Sequence, residues 1–183
     1  MRSEAATRTV ALQRVREQWI PEKTELFRHL RPPQADTWLA VPASSHDEAA
    51  AWILEVLDDD GRARPADGTH PRLAVETADE RISAALASVP SGLVDEYRPL
   101  AEAHAASCAG VATLRIGPDH GGVVLRLRRR SEGMRDAPLL VVEVEPGADA
   151  TLVEDADGPV PQDGAPATTR NALAVVRVGA GAR

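Results

Sequence analysis

Two stretches of this chain repeat one another. Leu140-Val141-Val142-Glu143-Val144 and Ala174-Val175-Val176-Arg177-Val178 align at an offset of 34 residues, and the match runs for ten positions through the tails Pro146-Gly147-Ala148 and Ala180-Gly181-Ala182. Ala112-Thr113-Leu114-Arg115-Ile116 and Val123-Val124-Leu125-Arg126-Leu127 share the same build. In each, strand alternation puts the charge on the face opposite its apolar neighbours. Ala150 to Glu154 reads as a further extended piece, and Gly117-Pro118, Gly121-Gly122, Pro146-Gly147 and Gly158-Pro159 supply turn chemistry. Short strands, glycine corners and a fixed offset suit either a β-solenoid or a sandwich. Tails that match in register favour the solenoid.

The half of the chain before this pattern reads differently. Val10, Leu12, Val15 and Trp19 fall at helical spacing, and Pro21 can open a second helix carrying Leu26, Phe27 and Leu30. Arg31-Pro32-Pro33 stops it. Ser45-His46-Asp47-Glu48 is a capping box, predicting a helix that buries Trp52, Ile53, Val56 and Leu57 and ends near Asp58-Asp59-Asp60-Gly61. Residues 58–71 read as a surface loop, and Arg72 to Glu76 as a short extended piece. A second capping box, Thr77-Ala78-Asp79-Glu80, opens a helix with Ile82, Ala85, Leu86 and Val89 on one face. An alanine-rich helix around Leu93 to Ser107 follows Pro90-Ser91-Gly92. The expected organisation is a mainly helical region over 1–108 and β rungs over 109–183.

Composition narrows the function. With 21 basic and 28 acidic residues the 183-residue chain carries a net charge of −7, which argues against non-specific nucleic-acid binding. Aromatic residues are 3% of the chain, too few for base-stacking platforms. The charged start, Met1 to Arg16, lacks the apolar stretch of a secretory signal, and no apolar run approaches the ~18 residues of a membrane span. These features predict a cytoplasmic protein with neither nucleic-acid nor membrane partners.

The run Gly110-Val-Ala-Thr-Leu-Arg-Ile-Gly-Pro118, then Gly122-Val-Val-Leu-Arg-Leu127, resembles the first β-helix strands of the SufB/SufD family. Pro138-Leu-Leu-Val-Val-Glu-Val-Glu-Pro-Gly-Ala-Asp-Ala-Thr-Leu-Val-Glu154 is similar to that family's rung of strand, Gly-Ala corner and second strand, and Asn171 to Arg183 to the next rung. The match covers roughly residues 93–183 and rests on the order of the rungs. The resemblance implies an α+β architecture: an N-terminal helical region followed by a short, truncated, right-handed parallel β-helix. It implies a scaffold or assembly subunit of iron–sulfur cluster biogenesis, working by protein–protein association without catalysis of its own. Its partners would be a second SufB/SufD-like chain, as homodimer or heterodimer, and an ATPase subunit. No cofactor is implied within this chain, an iron–sulfur cluster belonging to the assembled complex. Family positions tied to cluster building lie in later rungs, so none carries over onto this chain, which reads as a fragment of a longer scaffold or as a short relative.

Few residues offer chemistry by themselves. Cys108, the one cysteine, could ligate iron only with a second chain completing the site; a small buried hydrophobe is the simpler reading, and a Cys108-dependent enzyme the remotest. Asp119-His120 reads as a turn, and His29, His46, His70 and His104 lack metal-site spacing. Asp58-Asp59-Asp60 lacks the EF-hand order. Arg126, Arg128 and Arg130 alternate to one side of a strand, and with Arg129 they form a candidate anion or acidic-partner patch. A stand-alone binding module using that face is the alternative function; a solvated face protecting strand edges is the plainer account.

Overall fold

The computed structural model describes residues 48–66, 71–89, 104–105, 107–119, 121–130, 135–157 and 169–183. The two helices expected before residue 31, and most of the alanine-rich helix after Leu93, lie outside them, as do His29, His46, His70, His120 and Gly158-Pro159.

Valine- and leucine-rich runs become strands here because their branched side chains fit a pleated, half-buried surface. β1 (Trp52–Leu57), β2 (Ala63–Pro65), β3 (Arg72–Glu76), β4 (Val111–Ile116), β5 (Val123–Arg130), β6 (Arg135–Asp136), β7 (Leu139–Val144), β8 (Ala150–Asp157), β9 (Thr169–Arg170) and β10 (Leu173–Val178) succeed one another. Among the described residues two helices accompany them, α1 (Glu48–Ala51) and α2 (Asp79–Ala87). Sheet I has the order β2-β1-β5-β8, sheet II the order β10-β7-β4-β3, and β6 pairs with β9.

Both sheets are mixed. β4, β7 and β10 run parallel and in register, Val111 beside Leu139 beside Leu173; β5 and β8 are parallel, as are β6 and β9. β1 joins β5 antiparallel, and β3 joins β4 antiparallel. The expected helical region followed by a parallel β-helix is therefore overturned: the described residues are mostly β, and strands from the first half of the chain complete both sheets. The error is sharpest at Trp52–Leu57. A helical period selected Trp52, Ile53, Val56 and Leu57, whereas the strand turns Trp52, Leu54 and Val56 toward the core. Aromatic and β-branched content outweighed the capping box, whose helix ends at Ala51.

The acidic run after β1 is a hairpin turn. Asp58 Oδ1 accepts from the Asp60 and Arg62 amides at 3.0 and 2.7 Å, and Gly61 takes the left-handed conformation, φ 75°. The helix expected from the second capping box is present as α2, although its N-cap is Ala78 and no side chain caps it.

The main core lies between the sheets. Leu125 and Leu127 of sheet I meet Ala112, Leu114, Ile116, Leu140 and Val142 of sheet II, with Trp52 and Ala148 closing the cluster. On the other face of sheet II, Val111, Leu139 and Val141 pack against Ile82 and Ala85 of α2 and against Cys108. Sheet II is thus covered on both faces along β4 and β7, which suits their nearly unbroken apolar sequences.

Candidate interaction surface

The predicted arginine patch separates into two faces. Burial alternates along β5, with Leu125, Leu127 and Arg129 inward and Arg126, Arg128 and Arg130 outward. Arg126 meets Glu55 of β1 at 2.8 Å, its direct neighbour across the strands. Arg128 faces Asp155 of β8 at 4.0 Å, again a register partner. Strands on either side supply these carboxylates, so the outer face of sheet I is knit together by cross-strand pairs. Arg130 is exposed at the end of the strand.

Arg129 is 1% exposed and does not belong to that face. Its guanidinium forks to both oxygens of Glu48, at 2.9 and 3.1 Å, and reaches Asp136 at 2.6 Å. It also lies 4.8 Å from the ring centre of Trp52, its antiparallel neighbour. Burial alone would depress its pKa, but the hydrogen bonds it donates to Asp136 and Glu48, with the charges of those carboxylates, outweigh that and leave it raised. Asp136 is as buried and is also approached by Arg170 of β9 at 3.8 Å. The cluster clamps α1, β5, β6 and β9 together, with its donors turned to internal carboxylates.

Cys108 is buried, and its thiol donates to the Gly110 carbonyl at 3.0 Å. Beside it, His104 is buried with Nε2 at 2.8 Å from the Pro138 carbonyl, so a protonated Nε2 donates there. Desolvation lowers its pKa, against smaller opposing effects from that bond and from Asp136. Among the described residues no three His, Cys, Asp or Glu side chains gather as metal ligands, and no helix is long and apolar enough to cross a membrane.

The exposed chemistry gathers at β10. Among the described residues this strand edges sheet II, and β8 edges sheet I. Val176 continues the row Leu114–Val142, and Val178 the row Ile116–Val144, yet each is 60% exposed. The inter-sheet core therefore runs out into solvent along one strand.

Charge sharpens this edge. Arg177 bonds Glu143 at 3.0 Å, and Glu143 also holds Arg115 at 2.9 Å. Arg183 bonds Asp149 at 2.9 Å. Together with Arg170 on Asp136, these pairs share the 34-residue offset, so the last layer is basic at three positions where the layer beneath it is acidic. The repeat carries this exchange in the sequence at the same 34-residue offset as its valines.

The corners stack as well. Gly179 N donates to Val144 O, Gly147 N to Ala180 O, and Arg183 N to Ala148 O. Gly179 approaches so closely that a Cβ would sit 2.5 Å from the Pro146 nitrogen.

Among the described residues, the fold and this surface define a mixed-sheet β architecture in which the edge at β10 is bare and rimmed by arginines. No family model matches the chain, nor does any curated protein or solved structure.

Proposed function

We propose that this chain is an assembly subunit that works by docking a partner chain along β10, in the setting of iron–sulfur cluster biogenesis. The observation that carries the docking is the pair Val176 and Val178, apolar side chains on an edge strand whose in-register neighbours are the core residue Val142 and the partly buried Val144 packed against it. An exposed apolar edge is a ready template for another strand. The iron–sulfur setting rests on the sequence resemblance of residues 93–183 to the SufB/SufD family. The partner under this reading is another chain of that kind, with an ATPase subunit in the full assembly, and cluster chemistry belongs to the complex. Cys108, buried and bonded to Gly110, fits a structural role in this chain.

The test is co-expression with full-length SufB- and SufD-type chains. Co-purification at fixed stoichiometry, abolished by Val176→Asp/Val178→Asp with the far-ultraviolet spectrum unchanged, is expected. A chain that elutes alone from both would overturn the proposal. The Arg126–Arg130 face attracts no comparable support, because Arg126 and Arg128 face carboxylates of their own sheet.

A further inference from the structure

We infer that the partner segment on β10 is an extended strand running parallel to it, with a glycine corner after it, and with carboxylates at the registers of Arg177 and Arg183. The inference rests on the reading of β10 as an association edge and adds the chemistry and direction of what lands there.

Direction follows from the corners. Strand and corner form one continuous ladder from Leu173 to Arg183, since Gly179 N, Gly147 N, Arg183 N and Ala150 N all bond across the 34-residue offset or its neighbours. An antiparallel strand pairs with β10 but leaves the corner at 179–183 behind. A parallel segment that turns at the same level follows both.

Charge follows from the columns. Across sheet II the outward column reads Arg72, Arg115, Glu143, Arg177, three cations to one carboxylate, which bonds Arg115 and Arg177. Arg177 remains half exposed after pairing with Glu143, and Arg183 is 82% exposed after pairing with Asp149. A carboxylate in the next layer meets donors already fixed in place, so charge-assisted bonds form without reorganising the edge. A second copy of this chain fits less well. Around a two-fold axis, β10 pairs antiparallel to itself and brings both sets of arginines onto one seam; head to tail, Arg72 of β3 meets Arg177.

The layer beneath supplies a probe, a synthetic peptide with the sequence of residues 138–150, which contains Glu143, the Pro146-Gly147 corner and Asp149. Its counterpart carries arginine at those two positions. Fluorescence anisotropy on the full chain is expected to show at least tenfold tighter binding of the acidic peptide. Arg177→Glu/Arg183→Glu should invert the preference, and the milder Arg177→Gln/Arg183→Gln should erase it. A nitroxide on the peptide N-terminus should broaden the amide signals of residues 172–174. Equal binding of both peptides, binding of neither, a preference unmoved by the substitutions, or broadening at 178–180 instead would each overturn the inference. So would light scattering showing a stable homodimer that excludes the peptide. If scaffold chains co-purify through Val176 and Val178 while the peptides behave alike, only the partner's chemistry is wrong. If the acidic peptide binds but no scaffold chain does, the iron–sulfur setting is wrong and the edge chemistry stands.

Discussion

β7 and β10 carry nearly the same residues and lead opposite lives. Val142 is 2% exposed and Val176, its register neighbour, is 60% exposed. The sequence Val-Val-x-Val does not decide between them. β7 has β4 on one side and β10 on the other, with sheet I and α2 over its faces, whereas β10, among the described residues, has a neighbour on one edge only. Burial is conferred by the layer above and below, so the same motif is core in one turn of the chain and sticky surface in the next.

The largest expected effect lies in the buried half of that contrast. Arg129→Ala strands the carboxylates of Glu48 and Asp136 in a nearly dry site, and should cost about 3–5 kcal/mol in urea unfolding. A loss under about 1 kcal/mol would mean that the clamp opens to water. The matched pair comes next: Val142→Ala should cost about 2–3 kcal/mol, through lost burial and a cavity. Val176→Ala in the uncomplexed chain should stay within about 0.5 kcal/mol. Equal costs would show that β10 is covered in solution. Gly179→Ala should cost about 1–3 kcal/mol, because backbone atoms of Glu145 and Pro146 block a Cβ. An unchanged denaturation midpoint would mean that the corners are not stacked as described. The smallest effect is pH-dependent. Burial holds the His104 pKa below its ordinary value, so the unfolded chain binds more protons. The stability this contributes is full above pH ~6.5 and is lost as pH falls from there toward the lower folded value. Unfolding followed from pH 8 to 5 should show this decline, and His104→Gln should flatten it.

What the sequence made legible was the part that is local. The four apolar-charge-apolar segments and the piece after Asp149 are β4, β5, β7, β10 and β8, because alternation and glycine corners are written in neighbouring residues. The 34-residue offset is the register of β10 on β7. The apolar residues of Trp52–Leu57 satisfy a helical stripe nearly as well as a strand, and the segment's decisive partner, β5, starts at Val123. Arg129 sits in an unbroken arginine run and likewise depends on a distant partner. Its inward register is visible from alternation, but the carboxylates that make burial tolerable come from Glu48 and Asp136, one of them 81 residues away. The exchange of Asp136, Glu143 and Asp149 for Arg170, Arg177 and Arg183 was readable all along, once charges are compared at the offset that the valines define.

The antiparallel seams of β1 on β5 and of β3 on β4 have a practical consequence for anyone dissecting this molecule. A scission after Cys108 leaves the later strands without the flanks that shield Leu125 and Leu114, and without the carboxylate of Glu48 that neutralises Arg129. The repeat that looks self-sufficient on paper would emerge raw on two sides instead of one, and insoluble aggregates rather than a tidy module should be the yield.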